Sequence, residues 1–126
     1  MRFEHFALNV PDARVMSLWY VDHIGLEIVR SVEKPPYTKF MADQTGRVCM
    51  EIYSSTSVDA PDYSTIPPLN FHVAFVADDA NATRVRLESA GATLFKEDIL
   101  DDGSVLVMMR DPWGIPLQFC QRTKPF

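Results

Sequence analysis

The sequence predicts an α+β fold built from two tandem β-α-β-β-β modules. Three observations predict it. Short apolar runs of strand character recur eight times along the chain. A helical stretch follows the first strand of each set of four. Chemically similar residues also return at a fixed offset. His5 and His72, Ala7 and Ala74, Asp12 and Asp79, and Ala13 and Ala80 each lie 67 residues apart, and the same offset maps Glu51 onto Gln118. Gly25 and Gly91 lie 66 apart, so the second helix is one residue shorter.

In the first module, Phe3 to Val10 reads as a strand with Phe6, Leu8 and Val10 on one face. Pro11-Asp12 opens a helix, with Asp12 as the N-cap that accepts from free amides of the first turn. Met16, Trp19, Tyr20 and Ile24 fall on one helical face, and Gly25 ends the helix by reaching the left-handed region without strain. Leu26–Val32, Tyr37–Ala42 and Val48–Tyr53 read as three further strands, separated by turns at Pro35-Pro36 and Gln44-Thr45-Gly46. Module one therefore spans residues 1–53. Ser54 to Asn70 is rich in Ser, Thr, Asp and Pro and reads as a linker without periodicity.

The pattern then restarts as module two, residues 71–121. Phe71–Ala77 is a strand, Asp78-Asp79 opens a helix, and Gly91 closes it. Ala92–Glu97, Val105–Arg110 and Ile115–Gln121 are strands. Asp111-Pro112-Trp113-Gly114 fits a type I turn with Pro at its second position. Residues 122–126 form a tail.

Composition excludes several function classes. Twelve Lys and Arg against 17 Asp and Glu give a net charge of −5, with no basic cluster to track a nucleic-acid backbone. The longest stretch free of Asp, Glu, Lys and Arg, Tyr63 to Ala77, contains Pro67, Pro68, Asn70 and His72 and does not read as a membrane span. The start, Met1-Arg2-Phe3-Glu4-His5, lacks the apolar core of a signal peptide. Two cysteines, Cys49 and Cys120, are too few for a disulfide framework, and the expected compartment is the reducing cytoplasm.

The duplicated positions carry the candidate chemistry. His5, Glu51, His72 and Gln118 fall in four different predicted strands. Strand parity puts Cys49, Glu51 and Tyr53 opposite Val48, Met50 and Ile52, and Gln118 and Cys120 opposite Leu117 and Phe119. A carboxylate on a largely apolar strand needs a partner. Two imidazoles, one carboxylate and an amide oxygen suit a divalent cation such as zinc, nickel, iron(II) or manganese. A bland reading stands beside this one: a His in a strand is commonly a packed or surface residue, and Glu51 can pair with an arginine. His23, at the helix end, reads as structural, Trp113 as turn packing, and the two thiols as inert filler.

The segments HFALNVPD, WYVDHIGLEI, VCMEIYS, FHVAFVADD and RDPWGIPLQF carry a resemblance over residues 1 to about 121. In order, spacing and duplication the chain resembles the vicinal oxygen chelate superfamily: glyoxalase I, bleomycin-resistance proteins and extradiol dioxygenases. The resemblance implies a single glyoxalase-like domain, with a curved eight-stranded mixed sheet around a cleft. It implies a divalent metal held by His5, Glu51, His72 and Gln118, a small-molecule substrate, and a homodimer in which the cleft can be completed by the partner. Glyoxalase I usually presents a Glu from the last strand as ligand and base, whereas this chain has Gln118, and a neutral amide takes no proton at neutral pH. Glu51 is then the catalytic base of a metal-dependent lyase or isomerase. Two alternatives remain. One is a non-catalytic ligand-binding protein of the bleomycin-resistance type, which the net charge and Tyr37, Tyr53, Tyr63 and Trp113 allow. The other is an iron(II)-dependent extradiol-type dioxygenase using the two His and Glu51.

Overall fold

Asp12 shows why each module begins as it does. Its backbone is extended (φ −143°, ψ 98°), and its carboxylate accepts from the amides of Arg14 at 3.0 Å and Val15 at 3.3 Å. Asp79 repeats the motif, accepting from Ala82 N–H at 2.8 Å. Each cap turns the chain from a strand into a helix, as the sequence predicts. The computed structural model describes every residue from Met1 to Phe126. The order is β1 (Phe6–Asn9), α1 (Ala13–Trp19), a π-helical turn (Tyr20–Ile24), β2 (Glu27–Ser31), β3 (Lys39–Ala42), β4 (Val48–Tyr53), a 3-10 turn (Tyr63–Thr65), β5 (Val73–Val76), α2 (Ala80–Ser89), β6 (Thr93–Ile99), β7 (Val105–Arg110) and β8 (Pro116–Gln121). This is the α+β pattern of two β-α-β-β-β modules.

The chain divides into two compact units, Met1–Pro61 and Asp62–Phe126. The eight strands form two four-stranded mixed sheets, β1-β4-β3-β2 in the first unit and β5-β8-β7-β6 in the second. The first pair in each is parallel and the rest antiparallel. The duplication holds to the residue. Ala7 pairs with Glu51 as Ala74 pairs with Gln118. Val10 N–H donates to Tyr53 O as Ala77 N–H donates to Cys120 O. Ala13 N–H donates to Ser54 Oγ at 2.9 Å as Ala80 N–H donates to Gln121 Oε1 at 3.0 Å.

In the first unit α1 packs on β3 and β4, and Met16, Tyr20, Met41, Met50 and Ile52 are fully enclosed. In the second α2 packs on β6, β7 and β8 over Leu87, Val107, Met109 and Leu117. Parity then leaves Glu51 and Gln118 on the sheet faces turned away from the helices.

Several boundaries differ from those read in sequence. β1 and β5 are shorter, so His5 and His72 each stand one residue before a strand rather than inside it. Continuing the β5–β8 register places Pro116 opposite His72, and proline has no N–H to extend the ladder. The first helix widens into π geometry because Gly25 N–H donates to Tyr20 O, five residues back, before Gly25 closes it at φ +83°.

The linker Ser54–Asn70 is held rather than loose. Asn9 Oδ1 accepts from Ser55 N–H at 2.9 Å and Asn9 Nδ2 donates to Val58 O at 3.0 Å. Asp62 caps the 3-10 turn through Ser64 N–H. Arg110 donates to Tyr63 O and Ile66 O, both at 2.9 Å, and to Gly114 O at 2.8 Å.

The caps supply a measurable prediction. Asp12→Ala is expected to cost about 1 kcal/mol in urea unfolding at neutral pH. Donation from the Arg14 guanidinium, with the helix amides, holds the Asp12 carboxyl below its ordinary range. A depressed folded-state pKa stabilises above the unfolded pKa and loses that contribution as pH falls through the folded value. The gap between wild type and variant is therefore expected to close in strong acid.

Candidate metal centre and active site

Glu51 lies mid-strand in β4, between Ala7 of β1 and Phe40 of β3. The small Ala7 leaves the His5 imidazole room to reach across. His5 Nε2 lies 3.0 Å from Glu51 Oε2, with the side chains 26% and 19% exposed. Phe40 meets the His5 ring edge-on, with centroids 5.4 Å apart. The Glu4 carboxylate touches His5 Nδ1 but is out of line for a hydrogen bond, so this buried nitrogen has no aligned partner.

The second unit presents the counterpart. Gln118 lies between Ala74 of β5 and Met108 of β7. Cys120 Sγ donates to its Oε1 at 3.4 Å. His72 Nδ1 stands 2.8 Å from Pro68 O. A carbonyl only accepts, so Nδ1 carries a proton, and in the neutral ring that tautomer leaves the lone pair on Nε2. Histidine ligands to metals commonly have this arrangement, the second nitrogen donating to a carbonyl that fixes tautomer and ring.

The structure thus joins His5 to Glu51 and puts His72 and Gln118 at the equivalent positions of the other module. No hydrogen bond links His72 to Gln118, and no group of three or more His, Cys, Asp or Glu side chains converges in the chain. The donor chemistry still fits a divalent ion. Two ligands each about 2.1 Å from an ion at right angles lie about 3.0 Å apart. That is the His5 Nε2–Glu51 Oε2 separation, which also suits a hydrogen bond when Nε2 is protonated.

Burial pushes both thiols up: Cys49, with the Asp43 charge adding to the effect, and Cys120, against the opposing pull of Arg122. Both are therefore protonated and poorly nucleophilic at neutral pH. His23 packs against Trp19, with ring centroids 5.3 Å apart. Sequence reasoning missed Arg110 and Asp111. Asp111, 3% exposed, accepts from Trp113 N–H and Ile115 N–H, both at 2.9 Å, and so shapes the entry to the Gln118 strand. Its place at the head of a Pro-Trp-Gly turn was the available signal.

Residues 2–119 match the profile of the Glyoxalase/Bleomycin resistance protein/Dioxygenase superfamily. The chain belongs to this superfamily. Lactoylglutathione lyase of Haemophilus influenzae is 24% identical to it, covering 96% of this chain and 93% of that protein. Lactoylglutathione lyase from Agrobacterium tumefaciens has a similar structure, with a TM-score of 0.66 at 23% identity over 94% of this chain and 92% of that one. Glyoxalase I from Zea mays gives a TM-score of 0.76 at 21% identity, covering 98% of this chain but 45% of the plant chain. The superfamily match contains all four candidate positions, His5, Glu51, His72 and Gln118.

Proposed function

We propose that this chain is a metal-dependent glyoxalase-family enzyme of lyase or isomerase type. Its substrate would be a small carbonyl compound with two neighbouring oxygens. The observation that carries this reading is the His5–Glu51 pair at 3.0 Å, placed where the other module presents Gln118 in the same register. The lactoylglutathione lyase relative supports the reaction type. We further propose that the two modules act together as one glyoxalase-like domain, in a cytoplasmic homodimer. Both cysteines are free, and no helix is long and apolar enough to cross a membrane.

His5 Nε2, a Glu51 oxygen, His72 Nε2 and Gln118 Oε1 would hold a zinc, nickel, iron or manganese ion, in one chain or between two. Such an ion, when bound, polarises the substrate's oxygens. The chain's own residues divide the remaining work. The Pro68 carbonyl fixes His72 in the tautomer that presents Nε2. Gln118 offers an oxygen but takes no proton. Glu51 is then the one carboxylate of the set, and it removes the proton from the hydroxyl-bearing carbon beside the carbonyl and returns it to the carbonyl carbon, while the hydroxyl proton passes to the former carbonyl oxygen.

Metal binding tests the reading. Elemental analysis is expected to find a divalent ion in the purified protein, and calorimetry of stripped protein to show it rebinding. Glu51→Ala and His5→Ala are each expected to weaken binding by at least about 10–100-fold, the range seen even for outer-shell partners. A stripped protein that takes up none of the four ions defeats the proposal. Undiminished ligand binding by Glu51→Ala would favour a non-catalytic binding protein instead.

A further inference from the structure

Beside Gln118, the second unit carries a groove of about 490 Å³ lined by Ala74, Val76, Asp78, Cys120, Arg122 and Phe126, among others. Small-molecule sites run roughly 300–1,000 Å³. The β5–β8 register puts Val76 beside Cys120, just as Ala74 lies beside Gln118. The groove floor therefore continues the face that bears Gln118, and the Cys120 thiol bonds to Gln118 Oε1 at 3.4 Å. The other side of the strand is already occupied: Gln121 caps α2, and Phe75 stacks on Phe119 with centroids 6.1 Å apart.

The lining is largely apolar. Val76 is 89% exposed and Phe126 is fully exposed, so this apolar surface is open to solvent. Arg122 lies over the Phe126 ring, 4.3 Å from its centroid, and forms no salt bridge. The guanidinium also reaches the Cys120 thiol, and its remaining N–H donors suit a carboxylate, which a planar guanidinium can take with two parallel N–H groups. Asp78 is the other charged residue of the lining. One cation near one acid suits a singly charged anion better than a doubly charged phosphate, which Asp78 would repel more strongly.

We propose that this groove binds the apolar arm of an amphipathic carboxylic acid, with its chain along Ala74, Val76 and Phe126 and its carboxylate on Arg122. The inference rests on the reading of the Gln118 face as the substrate face, and it gives that substrate a class. Four residues of extended chain separate Gln118 from Arg122 by roughly 13 Å. A substrate spanning both carries its reactive oxygens at one end and its carboxylate at the other, joined by a medium-length apolar chain.

The test uses EDTA-stripped protein, so that it succeeds or fails apart from the metal reading. Calorimetry with octanoate is expected to show binding, and with octanamide binding at least tenfold weaker. Octyl phosphate is expected to bind more weakly than octanoate. Arg122→Gln is expected to reduce octanoate to the octanamide level, Arg122→Lys to restore part of it, and Phe126→Ala to weaken both ligands together. Equal binding of octanoate and octanamide, or full octanoate binding by folded Arg122→Gln, overturns the proposal. So does octanoate binding that disappears as protein concentration rises, which would show that a second copy covers the groove.

Discussion

Glu51→Gln is expected to lower turnover by about 10²–10⁴-fold, the range for loss of a positioned general base. The substitution keeps the shape and one oxygen but removes the only carboxylate of the four-residue set. Proton–deuterium exchange reads this step directly. Wild-type protein in D2O is expected to exchange the proton on the carbon next to the carbonyl of a 2-oxoaldehyde or α-hydroxyketone, followed by NMR. Glu51→Gln is expected to lose that exchange, and Glu51→Asp to keep a fraction of it. The Gln variant retains an oxygen where His5 Nε2 stands at 3.0 Å, so it is expected to keep more metal than Glu51→Ala. Exchange at the wild-type rate in the Gln variant would remove Glu51 from the chemistry, whatever the metal content. The gap between the two variants therefore separates a residue that holds an ion from one that moves a proton.

Much of this arrangement is visible in the sequence because it is duplicated. The 67-residue offset that links His5 to His72 and Glu51 to Gln118 reappears as identical strand register, Ala7 with Glu51 and Ala74 with Gln118. Parity then places the polar positions on one face without knowledge of packing. Other features depend on contacts between residues far apart in the chain, and local pattern cannot show them. Arg110 in a strand reads as a solvated charge, yet its guanidinium ties together three carbonyls, at Tyr63, Ile66 and Gly114. Ser54 reads as the first linker residue, yet its hydroxyl satisfies the first amide of α1. Nor does a polar linker announce that Asn9 and Arg110 fasten it at both ends. Arg122 shows the limit most clearly. In sequence it belongs to a tail, and only the fold shows it beside Cys120, one residue past the end of β8.

Gly114→Ala is expected to cost about 3–5 kcal/mol, at the upper end for single substitutions. Gly114 has φ +88°, and a Cβ there meets Ser64 N at 2.6 Å, Ser64 Cα at 2.8 Å and Ser64 Cβ at 2.9 Å. The left-handed backbone accounts for about 1–2 kcal/mol. The remainder comes from the clash with backbone, which has little freedom to retreat. Asp62 Oδ1 holds Ser64 N–H at 3.0 Å, and Arg110 holds the carbonyls on either side, at Tyr63 and Ile66. Moving Ser64 breaks several of these hydrogen bonds, each worth about 1 kcal/mol. Gly46 is the internal control: its φ is +78°, but a Cβ there meets nothing within 4 Å. Gly46→Ala is therefore expected to show the backbone cost alone. Urea unfolding of both variants isolates the contact between the Asp111–Gly114 turn and the linker, and equal losses would mean that the turn does not press on Ser64. The same contact reaches the candidate site. The linker runs from Ser64 to Pro68, whose carbonyl sets the His72 tautomer. A Gly114→Ala protein that still folds is therefore expected to bind metal more weakly, although Gly114 is not itself a ligand.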